Sequence, residues 1–150
     1  MVVKFDVKRE PVVTKKNGWV RQNSDDKKNQ EEVAKIIAVK LGVRVHNFPR
    51  FHYIDWYLEQ NRRIWGYGEL KVRNYKHDAF EDTIVKLDKF KKMTRLAIAD
   101  SIPVYLFVQF INQLRYISVQ SLDPSRTKVE GSCTDQAVHV LVPVKDMNIL

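Results

Sequence analysis

The sequence predicts an α/β domain of α+β character, a three-layer α/β/α arrangement around a central mixed sheet. Three observations predict it. Two amphipathic helical stretches interleave with strand-like runs. The run "VYLFVQFI" is almost wholly apolar, as in a strand buried on both faces and often parallel to its neighbour. The runs "RFHYIDWYLEQ" and "IWGYGELKVR" flank the turn "QNRR" and read as a hairpin.

The chain has 150 residues, of which 44% are hydrophobic, enough for one domain with a core that needs no metal or disulfide staple. It reads as a single domain over 1–150, with an N-terminal arm at 1–24, a core at 25–120, and a last strand and tail at 121–150. In the arm, "VVKFDV" is a short strand candidate, and Asn17-Gly18 marks a turn, so an arm or hairpin is expected. "SDDKKNQEEVAKIIAVKLGV" is a helix. Ser24 or Asp25 can cap it and Gly42 can end it, and Val33, Ala34, Ile37, Ala38 and Leu41 form one stripe.

In the first strand of the hairpin, Tyr53, Asp55 and Tyr57 are expected on one face, with Ile54 and Trp56 on the other. "NYKHDAFED" is a polar connection and "TIVKL" a third strand. "KFKKMTRLAIADS" is a helix with an apolar stripe of Phe90, Met93, Leu96 and Ala97, for which Asp88 is the candidate N-cap and Pro103 the stop. "QLRYISVQ" follows the buried strand after a tight connection and should pair with it. "LDPSRTKVEGSCTDQ" reads as a polar loop, "AVHVLVPV" as the last strand and "KDMNIL" as a tail.

Composition narrows the function. Lys and Arg total 26 against 18 acids, a net charge of +8, which favours a polyanionic partner, most simply nucleic acid. The single cysteine, Cys133, excludes an internal disulfide and fits a reducing compartment. No apolar run has the length of a membrane span, and "MVVKFDVKRE" lacks a signal-peptide core, so a cytoplasmic protein without membrane partners is expected. The four histidines, His46, His52, His77 and His139, have no zinc-site spacing. "GYG" lacks the length and lysine of a phosphate-binding loop.

The chemistry-bearing residues lie in the hairpin. Asp is depleted in strands, and a carboxylate there needs a partner. Asp55 could simply pair with Lys71 across the hairpin. Glu69 adds a second acid to the same side, however, and two neighbouring carboxylates repel unless a cation lies between them. Oxygen ligands suit Mg²⁺ or Mn²⁺, with the Leu70 carbonyl as a further ligand. Gly66 and Gly68 read as space beside the pair, and Lys71 as a group that orients or helps activate water and offsets charge on a phosphate.

"HYID" with Asp55 and "YGELKVR" with Glu69 and Lys71 resemble the PD-(D/E)XK nuclease superfamily, with its restriction-endonuclease-like fold, and small phage-type members in particular. The order of elements over 25–120 matches as well, and "VHVLVPVKDM" resembles a closing strand. The resemblance implies a metal-dependent endonuclease that hydrolyses DNA. Asp55 and Glu69 match its metal-binding acids and Lys71 its catalytic lysine; Ile54 replaces the motif's proline. Many members place a Glu or Gln on the first helix, for which Glu31 and Gln30 are the candidates. Lys89 resembles a lysine that some members keep at the head of the second helix.

Basic residues around these elements form the expected DNA-facing set: Arg50, Arg62, Arg63, Arg73 and Lys76 beside the hairpin, Lys15, Lys16 and Arg21 in the arm, and Lys27 and Lys28 on the first helix. Trp56, Tyr57, Trp65 and Tyr67 are candidates for base stacking or for the core. A homodimer or higher homo-oligomer is expected if both strands are cut, and host cytoplasm is the setting if the protein is phage-encoded. A structure-specific, Holliday-junction-like resolvase would use the same residues. An inactive nucleic-acid-binding or interaction protein is the alternative of another class, disfavoured by the intact Asp, Glu and Lys.

Overall fold

A computed structural model describes residues 13–14, 19–20, 24–49, 52–131 and 136–150. In the N-terminal arm, β1 (Val13–Thr14) pairs antiparallel with β2 (Trp19–Val20), a ribbon of the expected kind. Helix α1 (Ser24–Leu41) follows and ends on Gly42, whose φ of +64° is the left-handed turn that glycine accommodates. Val33 and Ile37 are fully buried on its inner stripe.

The chain then forms β3 (Arg44–Asn47), a strand absent from the sequence expectation, which pairs with β4 (Trp56–Gln60). Asn61 and Arg62, both at positive φ, make the two-residue turn into β5 (Arg63–Val72). After a polar connection come β6 (Asp82–Lys86) and helix α2 (Leu87–Asp100). The crossover returns as β7 (Val104–Gln109), which runs parallel to β5 and is almost entirely buried, as its apolar run predicts. A tight turn leads to β8 (Leu114–Ser118), antiparallel to β7. The chain ends with β9 (Thr127–Glu130), β10 (Ala137–Pro143) and β11 (Asn148–Ile149).

The central sheet is mixed and six-stranded, in the order β11-β8-β7-β5-β4-β3, while β6, β10 and β9 form a second sheet. One face of the central sheet packs on α1 through Val33, Ile37, Trp56, Leu58 and Phe107. The other packs on α2 and the second sheet through Tyr67, Phe90, Met93, Leu106, Val108 and Val140. The three layers are therefore present, but the layer carrying α2 also holds a small sheet.

Several expectations are corrected. "TIVKL" forms its strand in the second sheet, not the central one, because β10 supplies its antiparallel partner. The expected loop after β8 contains β9, and the tail contains β11, which returns to the central sheet. Asp88 does not cap α2. The strand β6 runs straight into the helix, Lys86 occupies the cap position without a side-chain bond, and Asp88 lies in the first turn, where its charge still suits the helix dipole. Ser101, at φ 53°, ends α2 before Pro103. The face alternation at 54–56 also fails: Ile54 joins the core under α2, whereas Trp56 joins the core under α1. The chain bends over 53–55, so β4 begins one residue after Asp55. The turn of the N-terminal arm and Cys133 lie outside the described residues.

Candidate active site

The bend places Asp55 where β4 parts from β5. Its carbonyl accepts from the Phe48 N–H at 3.1 Å, and its carboxylate Oδ2 accepts from the Leu70 N–H at 2.8 Å. The carboxylate thus stands in for the missing ladder carbonyl of β4. In a strand, the N–H and C=O of one residue point to the same edge, so the Leu70 carbonyl also opens toward Asp55.

Glu69, on the neighbouring position of β5, is buried at 4% exposure. Its Oε1 lies 3.1 Å from Lys89 Nζ and 3.6 Å from Lys71 Nζ, whereas its Oε2 is buried without a hydrogen-bond partner. Burial, and then repulsion from Asp55, push its carboxyl up from 4.5 to about 7, even with the two lysines pulling the other way. Lys71 pairs with Glu69 and not with Asp55, which removes the plain cross-hairpin ion pair as the explanation of Asp55. Lys89, from the first turn of α2, also donates to the Tyr53 carbonyl, so one ammonium ties the helix to β5 and to the bend that precedes β4.

This donor set fits a divalent cation. Two carboxylates repel each other, one buried carboxylate oxygen is unsatisfied, and a carbonyl faces the same edge. Among the described residues no group of three or more His, Cys, Asp and Glu converges, so protein ligation would rest on two acids and the carbonyl. Of the first-helix candidates, Gln30 is half-buried at the head of the inner stripe and has an interaction of its own, while Glu31 is exposed.

The glycines have a different role from the one expected. A Cβ on Gly66 would stand 2.9 Å from the Tyr105 ring and 3.2 Å from the Pro103 carbonyl oxygen; one on Gly68 would stand 3.0 Å from Phe107 and 3.2 Å from Trp56. They make room for core rings on the α1 face of β5, not for a phosphate beside Glu69.

The basic set divides. Lys27, Lys28 and Lys76 are exposed. Arg62 and Arg63 are exposed at the hairpin turn, and Arg63 is six strand residues, about 20 Å, from Glu69. Arg73 is tied inward, with Nε donating to Thr83 Oγ1 at 3.1 Å and an Nη donating to the Ile84 carbonyl; its guanidinium clamps β5 to β6. Arg50, Lys15, Lys16 and Arg21 lie outside the described residues. Trp56 and Tyr67 are core, and Tyr67 donates to Asp100 Oδ2 at 2.6 Å. Trp65 stacks on Tyr105 and Tyr57 on His46.

Sequence reasoning missed a column of rings at the site's rim. Phe48 stacks on His52 (4.0 Å between centroids, 12°), and His52 stacks on Tyr53 (4.7 Å, 17°). The signal was the aromatic density of "HNFPRFHY", but these residues follow no period that would reveal the stack.

A family model described as "Phage putative PDDEXK endonuclease" matches residues 20–150. The chain belongs to this family. It is therefore an endonuclease of the PD-(D/E)XK type, as "HYID" and "YGELKVR" imply. No curated protein matches the chain significantly. Among solved structures, it is similar to Hjc of Archaeoglobus fulgidus, a Holliday junction resolvase from an archaeal hyperthermophile, at 14% identity and a TM-score of 0.49, over 76% of this chain and 82% of that one. No described helix is long and apolar enough to cross a membrane.

Proposed function

We propose that this family member is a metal-dependent deoxyribonuclease. The observation that carries the reading is the buried Glu69 carboxylate, with Oε2 unpartnered, Asp55 repelling it and Lys71 on its other oxygen. Asp55, Glu69 and the Leu70 carbonyl would hold Mg²⁺ or Mn²⁺. When bound, such an ion lowers the pKa of water and neutralises charge on a phosphodiester. Asp55 is kept in place by the Leu70 N–H, and Lys89 holds Glu69 against the Tyr53 backbone. Lys71, partly exposed beside Glu69, keeps a positive charge at the rim, where it orients the attacking water and meets the scissile phosphate. Gln30 or Glu31 would support the metal's waters from α1. The net charge of +8, with exposed Lys27, Lys28 and Lys76, supplies attraction for a DNA backbone. A homodimer would bring two sites to the two strands of a duplex.

The test is cleavage of plasmid, nicked and branched DNA by pure protein with Mg²⁺, Mn²⁺ or EDTA. Cleavage with either metal and none with EDTA is expected, and Lys71→Ala should lower the rate by about a hundredfold or more. All substrates left intact with metal would refute the reading, and an unimpaired Lys71→Ala variant would refute the role of the lysine.

A further inference from the structure

The ring column beside Asp55 has a shape that the hydrolytic site does not require. Its inner end, Phe48, leans on Tyr57 (5.2 Å) and on the buried Tyr67 (5.9 Å). Its middle ring, His52, is fixed by Nδ1, which accepts the Ile54 N–H at 3.2 Å. Both Phe48 and Tyr53 lie nearly parallel to the His52 ring, at 4.0 and 4.7 Å between centroids, a spacing that places them on its opposite faces. Among the described residues Tyr53 ends the stack, and it is 38% exposed. Its backbone carbonyl shares the Lys89 ammonium with Glu69, so the exposed end belongs to the same residue that is tied to the acidic pair.

A column of parallel rings, rooted in the core at one end and ending, among the described residues, on a partly exposed tyrosine, is a platform for one more flat ring. Beside a phosphodiester site, the available flat ring is a nucleobase. A base inside an intact duplex has both faces covered by its neighbours; an unpaired base has a free face. We propose that Tyr53 caps an unpaired base adjoining the scissile phosphate, so that the preferred substrate is DNA with a single-stranded or unstacked nucleotide at the cut, as in a flap, gap or branch point. The idea rests on the nuclease reading for its substrate, but binding tests it without cleavage.

The experiment places 2-aminopurine at successive positions of a single-stranded oligodeoxynucleotide and in a fully paired duplex, and titrates each with full-length protein in EDTA at low salt. Stacking quenches this fluorophore. With wild type, quenching at a defined position of the single strand is expected, and none in the duplex interior. Tyr53→Ala should abolish the quench and weaken single-strand binding by about tenfold, the usual effect of losing one base–aromatic stack. Tyr53→Phe and Tyr53→Trp should retain both; they keep the stack, and if Tyr53→Ala melts early they carry the test through comparison with Tyr53→Leu. Duplex binding, carried by lysines, should be unchanged. Position-independent quenching that survives Tyr53→Ala, or equal losses on duplex and single strand, would overturn the proposal. Position-specific quenching by a protein that cleaves nothing with metal would overturn the nuclease reading and leave only the base-capping role of Tyr53 standing.

Discussion

The two faces of β5 make opposite demands on one strand. On the α1 face, Gly66 and Gly68 give up their side chains so that Tyr105, Phe107 and Trp56 can lie against the backbone. On the α2 face, Tyr67, Glu69 and Lys71 crowd polar groups into a largely dry space. The first face is built for packing density and contributes stability. The second retains a buried carboxylate with an unsatisfied oxygen, an arrangement that costs stability and that the proposed metal site accounts for. Alternation along a strand allows this: neighbouring residues need not share a purpose.

The contrast can be broken most strongly at Glu69. Its carboxyl is raised from 4.5 to about 7, chiefly by burial and then by Asp55, so between those values the native state binds more protons than the unfolded chain. The stabilising contribution is full below the unfolded value and is lost as pH climbs through the folded one. Denaturant unfolding of metal-free protein should show stability falling from about pH 4.5 to about pH 7.5 by something of order 3 kcal/mol from this group. Glu69→Gln should flatten that dependence, raise stability above neutrality and abolish cleavage. A variant that is less stable than wild type at about pH 8 would contradict the account of this face. Adding Mg²⁺ above neutrality should raise the Tm of wild type but not of Glu69→Gln, since a ligand that binds only the native state stabilises it.

A smaller effect of the opposite kind is expected at Gly68. Gly68→Ala drives a methyl into two fully buried rings and should cost about 1–3 kcal/mol in denaturant unfolding. Whatever fraction remains folded should cleave nearly as wild type does, because the new methyl points away from Glu69. A folded Gly68→Ala protein that no longer cleaves would mean that the two faces are coupled more tightly than their packing indicates.

The smallest effect is expected along the strand instead of across it. Arg63 is on the same strand as Glu69 but at its far end, and Arg63→Ala should change cleavage by less than about twofold. A large loss would show that DNA tracks the whole length of the hairpin.

The sequence, by itself, determined the elements whose signal is local. The stripe of Val33 and Ile37 fixed α1, the apolar run at 104–109 announced a buried parallel strand, and the acid–acid–lysine pattern in the hairpin made Asp55, Glu69 and Lys71 the candidates on which the proposed site rests. Periodicity and residue type are properties of a short window, so they can be read there. What only the tertiary structure decided depends on partners distant in the chain. β6 leaves the central sheet because β10, more than fifty residues later, offers it an antiparallel edge. Arg73 is a clamp because β6 presents Thr83 and the Ile84 carbonyl to it. The glycines serve rings from β4 and β7. Asp55 is aimed by a bend that no alternation rule contains, and the stack of Phe48, His52 and Tyr53 forms through that same bend. A carboxylate's identity is written in the sequence; its neighbours, and therefore its proton affinity and its use, come from the fold.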